Sequence, residues 1–322
     1  METIQGCELC DQGVFTPVLY QRDLLLDRPD PVFRIVQCSG CGLLFTNPRP
    51  SRDEIAAYYP EEYSIPSAVD RLLRQYQEGA TPSWRRRVKA RLLAEYYAYP
   101  PEPAGNSVLG RRLSRLLLSP LYLYFRLWRD PLLLPFVENG KILDVGCGLG
   151  FTLARYREWG WTPLGVERSP VAARYAREVL GLSVHQGELL DARFPSEFVD
   201  VVLLQDSLEH LPAPSIDLGE VHRILKNSGL LVVTVPNAAG LDARLFGRWW
   251  VGWDLPRHLY HFTPRTVSAL LAKAGFRVQR MLCHPTASDF IASTIYGAKY
   301  KFAAPSIHPW LLSLAFRPAS GL

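Results

Sequence analysis

The stretch "KILDVGCGLGF", Lys141 to Phe151, constrains this chain most. A short buried-strand pattern runs into glycines at alternate positions, and a helical pattern follows. Glycines spaced this way mark a backbone that turns tightly and lets a ligand approach. The theme then repeats along the chain. "FTLARYREWG" predicts a helix stopping at Gly160, and "PLGVE" a strand. "SPVAARYAREVLG" predicts a helix with Ser169 as N-cap, Pro170 at its first position and Gly181 as its stop. Ala172, Tyr175, Ala176 and Val179 are expected on one face of that helix. "LSVHQ" and "VDVVLLQ" read as two more strands. After them come a helix over 214–226, the strand "LLVVTVP", and the helix "TPRTVSALLAKAGF". In this last helix Thr263 caps, Pro264 starts, and Val267, Leu270, Leu271 and Ala274 line one face. "RVQRMLC" reads as a sixth strand. Strand and helix alternation of this kind predicts an α/β fold, a parallel sheet with helices on both sides.

In such a sheet the ligand sits beyond the carboxyl ends of the strands, at the switch point, which is where "DVGCGLG" lies. A dinucleotide fingerprint would read GxGxxG, with a pyrophosphate on the helix N-terminus. Here the glycines are Gly146, Gly148 and Gly150, position 151 is Phe, and Asp144 stands two residues before the first glycine. A carboxylate repels a pyrophosphate and attracts an ammonium group. A cofactor with an amino-acid tail therefore fits better than one with phosphates. Glu167, ending the second strand, is placed to accept from both hydroxyls of a ribose.

From Lys141 to Cys283 the sequence resembles the class I S-adenosylmethionine-dependent methyltransferases. The residues that carry the likeness are "LDVGCGLG", "GVERS", "HQGELLDARFP", "FVDVVLLQDSLEHL", "RILKNSGLLVVTVPN" and "AKAGF". The resemblance implies a Rossmann-like parallel-sheet core over 138–284. It implies that Asp144, Gly146, Cys147, Gly148 and Gly150 hold the methionine portion of S-adenosylmethionine, and Glu167 its ribose. Gly187, Glu188 and Leu189 would surround adenine, and Gln205 would lie along the cofactor. Such sheets usually finish with a seventh, antiparallel strand. After Cys283 this chain instead offers an aromatic, helical-looking extension over 285–322.

Methyl transfer is an in-line displacement that needs an aligned nucleophile, a dry site and, for a protonated acceptor, a base. "LEHLPAP" puts Glu209 and His210 just after the fourth strand, where the histidine suits a general base and the carboxylate can orient it. The alternative is that His210 packs the loop. "WDLPRHLYHFTP" brings His258 and Tyr260 to the same rim as substrate-side candidates, with simple packing as the other reading. Metal binding by these histidines is disfavoured for want of an acidic cluster at a recognisable spacing.

Ahead of this core lie two cysteine pairs, Cys7/Cys10 and Cys38/Cys41, bracketing strand-like runs in residues 1–47. The opening residues show no basic segment followed by an apolar run, so a reducing, cytoplasmic setting is expected, and with it metal ligation rather than disulfides. Two CxxC knuckles suit a structural tetrahedral Zn²⁺, with a redox-active thiol pair as the alternative. Gly42, just after the second pair, is where the knuckle needs a permissive backbone. Residues 48–137 read as a helical linker or lid. It contains the basic stretches "WRRRVKAR" and "RRLSRLLL", and the loop "YPPEPAGNS". "LLLSPLYLYF" is too short to span a bilayer and leaves room for a peripheral membrane contact.

The knuckles followed by "CGLLFTNPRPSRDEIAAYY" resemble bacterial methyltransferases with an N-terminal zinc ribbon, some of which act on deoxysugars. Sugar C-methylating members carry a further C-terminal domain, so the expected acceptor is a hydroxyl of a sugar, a nucleotide sugar or another small molecule. The net charge of +5 is compatible with anionic partners. An RNA methyltransferase with a zinc ribbon is the main alternative. It is set aside because neither an "NPPY"-like motif nor an RNA-reading module is present. A non-catalytic zinc-containing interaction protein is the other.

Overall fold

The computed structural model describes residues 1–59, 83–100, 116, 118–120, 122, 134–283 and 287–301. The stretches "RRLSRLLL", "YPPEPAGNS" and "LLLSPLYLYF" lie largely outside the described residues. Among those described, no helix is long and apolar enough to cross a membrane.

The central sheet has five parallel strands. They are β4 (Lys141–Val145), β5 (Thr162–Glu167), β6 (Ser183–Gln186), β7 (Val199–Gln205) and β8 (Leu225–Thr234), in spatial order β6-β5-β4-β7-β8. Chain order runs outward from β4 to β6, then returns to β7 on its other side. The switch point is therefore the crevice between the carboxyl ends of β4 and β7. Both strands are buried on both faces, as continuous apolar runs such as "KILDV" and "VDVVLLQ" require. Leu143, Val145, Val202 and Leu204 pack on one face, and Ile142, Val201 and Leu203 on the other.

The connecting helices are α2 (Phe151–Glu158), α3 (Pro170–Glu178), α4 (Pro214–Ile224), α5 (Leu241–Phe246) and α6 (Pro264–Lys273); α1 (Ser83–Tyr97) precedes the sheet. Ser169 Oγ accepts the Ala172 amide at 3.3 Å, and Pro170 opens α3, as the sequence predicts. The packed face of α3 differs from expectation: Val179 is exposed, and Ala173 is buried in its place beside Ala172 and Ala176. The helix ends at Glu178, so Val179 falls past its last turn. Thr263 and Thr266 cap α6 reciprocally, with Val267, Leu270 and Leu271 buried and Ala274 partly so. The expected strand "RVQRMLC" is not formed. Residues 277–283 are exposed and irregular, with Val278, Met281 and Leu282 left at the surface, and the edge of β8 is not extended by them. Among the described residues the sheet ends at five strands, and α7 (Ala287–Lys301) follows.

Of the linker, α1 and the segment after it are described. Leu93 and Tyr99 pack with Ile142, Tyr156, Trp161, Val201 and Leu203, and Trp161 Nε1 donates to Tyr99 Oη at 2.9 Å. This part of the linker covers a sheet face.

The N-terminal segment forms β1 (Phe15–Asp23), β2 (Arg28–Cys38) and β3 (Leu44–Thr46), all antiparallel. Gly42 has φ +80°, a left-handed conformation that glycine adopts without strain. A fourth strand, β9 (Tyr260–His261), comes from the far end of the chain and pairs Leu44 with His261 and Phe45 with Tyr260. Cys7, Val36, Leu43 and Phe45 share one core with Val145, Leu208 and Phe262. The cysteine-bearing sheet thus has no core of its own. It is built onto the parallel sheet beside the switch point.

Candidate functional site

Asp144 stands in β4 with Gly165 of β5 on one side and Leu203 of β7 on the other, and is 3% exposed. Gln205 Nε2, at the end of β7, donates to Asp144 Oδ2 at 3.5 Å. Asp144 Oδ1 is buried with no hydrogen-bond partner among the described residues. Burial, and then the nearby negative charge of Glu167, push the Asp144 pKa up to about 7. A buried carboxylate oxygen without a donor marks a place where a donor belongs, and an ammonium group is the donor that would restore its charge.

The glycine loop is pinned from below. The amides of Gly146 and Cys147 donate to the Val166 carbonyl at 2.8 and 3.2 Å. Glu167 Oε2 accepts the Gly148 amide at 2.8 Å, and its Oε1 accepts the Ser169 amide at 2.7 Å. Gly148 has φ +52°, and a Cβ built on it would meet no atom within 4 Å, so the loop borders open space of the kind a ligand fills. Cys147 takes part through its backbone. Its buried side chain packs among Leu153, Ala173 and Val184, and burial raises its pKa. Gly187, directly after β6, donates its amide to the Glu167 carbonyl at 2.9 Å. Leu189 is buried in the main core, while the Glu188 carboxylate pairs with Arg52 and reaches Arg168 at 3.8 Å.

Across the crevice, β7 runs into a 3-10 turn over Leu208–His210. His210 Nδ1 lies 3.0 Å from the Arg257 carbonyl and 2.9 Å from Tyr59 Oη. The ring of His258 stands edge-on to it with centroids 4.6 Å apart, and His258 Nδ1 donates to the Gly252 carbonyl at 2.9 Å. Glu209 is 1% exposed, and neither carboxylate oxygen has a hydrogen-bond partner among the described residues; Oε1 lies 3.9 Å from His258 Nε2. Glu209, His210 and His258 each offer one polar atom within 4.8 Å of the others, a spacing compatible with a shared proton or a shared cation. Burial, and then the His258 ring, pull the His210 pKa down to about 3. Burial lowers His258 as well and raises Glu209 well above the usual carboxylate range. The result is a compact acid–base cluster, with Glu209 and His258 buried and His210 half-buried, whose imidazoles are held neutral at neutral pH.

Tyr260 is not part of this cluster. Its hydroxyl accepts from Arg49 Nη1 at 3.2 Å and donates to the Pro212 carbonyl at 3.3 Å, and its ring lies 6.4 Å from Phe45. Its place in β9 turns it toward the N-terminal sheet. Two residues that touch His210 or the loop beside it carry no sequence signal. Tyr59 is the second of two adjacent tyrosines in an ordinary turn, and Asp23 is a hairpin carboxylate more than two hundred residues from the loop it reaches.

Cys7, Cys10, Cys38 and Cys41 bring all four sulfurs within 4.8 Å of one another, with Cys7–Cys41 and Cys10–Cys38 at 3.5 Å. Four thiolates at ~2.3 Å from a tetrahedral Zn²⁺ would be about 3.8 Å apart, so the cluster fits that ion with little adjustment.

Against known proteins, residues 118–280, half of the chain, match the profile of a family described as a methyltransferase domain. Among curated relatives, the ubiquinone biosynthesis O-methyltransferase of Bartonella quintana (strain Toulouse) is 31% identical over 137 residues. That match covers 39% of this chain and 49% of the relative. The enzyme of the same name from Rhodopseudomonas palustris (strain BisA53) is 24% identical over 196 residues, covering 55% of this chain and 76% of the relative. The chain thus spans about half the length of the first relative and three quarters of the second. Of solved structures, an S-adenosylmethionine-dependent methyltransferase from Thermotoga maritima is similar with a TM-score of 0.40 and 22% identity, over 52% of this chain and 81% of that one.

Proposed function

Because the chain belongs to the methyltransferase domain family, the class I S-adenosylmethionine-dependent enzymes, we propose that it methylates a hydroxyl of a small molecule, with His210 as general base. The observation that carries this reading is the Asp144 carboxylate oxygen left without a partner in β4, beside the strand β7 that runs into the turn bearing His210. The carboxylate calls for a donor, and the imidazoles of His210 and His258, carried by the turn after β7 and by the 254–261 loop, are held neutral. S-adenosylmethionine, when bound, supplies an electrophilic sulfonium methyl. Asp144 Oδ1 would accept from its ammonium group, and the backbone of Gly146 to Gly150 would line its methionine portion. Glu167 would accept from its ribose, Gly187, Glu188 and Leu189 would flank adenine, and Gln205 would sit beside Asp144.

The base acts as follows. The Arg257 carbonyl can only accept, so it calls for the proton on His210 Nδ1 and leaves the Nε2 lone pair to take the acceptor's proton. Burial keeps that lone pair unprotonated at neutral pH while weakening it as a base. The imidazolium formed is supported by Asp254, whose charge raises the affinity of His210 for a proton. His258 and Glu209 close the same pocket. Relatives that carry the name O-methyltransferase support an oxygen acceptor. The sugar or nucleotide-sugar hydroxyl is our choice within that class. It rests on the likeness to methyltransferases with an N-terminal zinc ribbon. The cysteine cluster is read as a structural Zn²⁺ site that braces the sheet holding β9.

The test is to incubate the protein with a polar metabolite extract and, separately, with total RNA, each with S-adenosylmethionine labelled in its methyl group, then follow the label by mass spectrometry. A labelled small hydroxyl compound is the expected product. Label confined to RNA, or none transferred, would overturn the reading.

A further inference from the structure

Arg257 is among the largest fully buried side chains, and two carboxylates hold its guanidinium. Its Nη1 and Nη2 donate to Asp23 Oδ2 and Oδ1, both at 2.9 Å, a bidentate fork. Its Nε reaches both Asp254 oxygens at 3.0 Å, and Nη2 reaches Asp254 Oδ1 at 2.7 Å. Nη1 also donates to the Tyr58 carbonyl at 3.2 Å. Asp23 is itself fixed at the end of β1, where its Oδ1 accepts the amides of Leu25 and Leu26 at 3.0 Å each. The hairpin of the cysteine-bearing sheet therefore grips the loop 254–257 from outside.

What that grip holds still is a carbonyl. The Arg257 oxygen and Tyr59 Oη both lie within hydrogen-bond distance of His210 Nδ1, and only the carbonyl fixes the tautomer, since a hydroxyl can accept from Nδ1–H or donate to a bare Nδ1. The carbonyl requires a proton on Nδ1. The tyrosine hydroxyl is able to donate to Nδ1, which would move the ring proton to Nε2 and remove the lone pair there. We infer that Asp23 and Arg257 are positioning residues for methyl transfer: by clamping the 254–257 loop they hold the Arg257 carbonyl on His210 Nδ1, so that Nε2 stays free to accept a proton. The inference rests on the reading of His210 as the base. It assigns the N-terminal sheet a part in the chemistry, since Asp23 and Tyr59 both lie ahead of the parallel-sheet core.

The measurement is nitrogen NMR of the imidazoles in the full chain, with the His210 signals identified from His210→Gln. In the wild type His210 should carry its proton on Nδ1. In Asp23→Asn the loop loses its outer anchor and Tyr59 takes over. The proton should move to Nε2, and label transfer in the extract assay should fall about tenfold or more, with S-adenosylmethionine affinity unchanged. Adding Tyr59→Phe to Asp23→Asn removes the competing donor, and should return the proton to Nδ1 and recover transfer. A merely structural clamp would show neither the tautomer change nor the recovery. If Asp23→Asn does not fold, Arg257→Lys is measured the same way, and the wild-type tautomer stands as a test by itself. A wild-type proton on Nε2, or a folded clamp variant that keeps Nδ1 protonated, would overturn the inference. Full transfer by His210→Gln would instead overturn the general-base reading, and the tautomer measurements separate the two failures.

Discussion

The Glu167 carboxylate accepts the Gly148 amide at 2.8 Å, so the end of β5 and the glycine loop after β4 are tied together by one side chain. The same carboxylate is the residue we assign to the ribose. On that assignment it would both shape the loop and face the ligand.

Glu167→Ala should weaken S-adenosylmethionine binding by roughly 1.5–3 kcal/mol in calorimetry, the usual worth of charge-assisted hydrogen bonds. Glu167→Gln keeps an acceptor oxygen for the Gly148 amide and should lose less. Unchanged affinity in both would put the ribose elsewhere.

Asp144 should make cofactor binding pH-dependent. Its pKa in the free protein is raised to about 7 by burial and by Glu167, and an ammonium partner favours its charged form. Binding should therefore release a proton, and affinity should rise as pH goes from about 5 to about 7. The stability of the free protein runs the other way. A carboxyl whose folded pKa lies above its unfolded value loses stability as pH rises between the two. Asp144→Asn should flatten both trends and weaken binding. Calorimetry in two buffers of different ionisation enthalpy reads the proton directly, and no release at pH 6 would remove Asp144 from the ammonium site.

His210→Gln should lower methyl transfer about 10²–10⁴-fold while leaving cofactor affinity intact. The usual imidazole inflection near neutrality should be missing from the wild-type rate profile, because burial and His258 hold this ring neutral down to a pH of about 3. A wild-type inflection that disappears in His258→Gln rather than in His210→Gln would transfer the role to His258.

Metal analysis should find one zinc per chain, lost in Cys38→Ser. Because β3 pairs with β9 and the cysteine sheet shares the main core, chelation should lower the melting temperature of the whole chain rather than release a separate small transition. A folded protein free of zinc would return the pairs to the redox reading.

The parallel sheet, the glycine turn, the helix caps at Ser169 and Thr263 and the two cysteine knuckles were all legible in the sequence. Each has a local signature: continuous apolar runs for the strands, CxxC spacing for the knuckles, a hydroxyl three residues from the amide it accepts, a positive φ that needs glycine. The error over Val179 is of the same local kind, since it turned on where one helix ends. Asp144, Glu167 and Gln205 were recognisable because strand ends in a parallel sheet meet on one rim whatever the rest of the chain does. What only the tertiary structure decided is how the two ends of the chain close on that rim. Residues 260–261 complete the cysteine-bearing sheet, which turns Tyr260 toward Arg49 and away from the crevice. Asp23 meets Arg257 across 234 residues, and Tyr59 meets His210 across 151. Hydropathy and spacing carry no trace of such pairs. A buried ion pair or a shared ring nitrogen is set by where two distant backbones finish, and local pattern does not encode that distance.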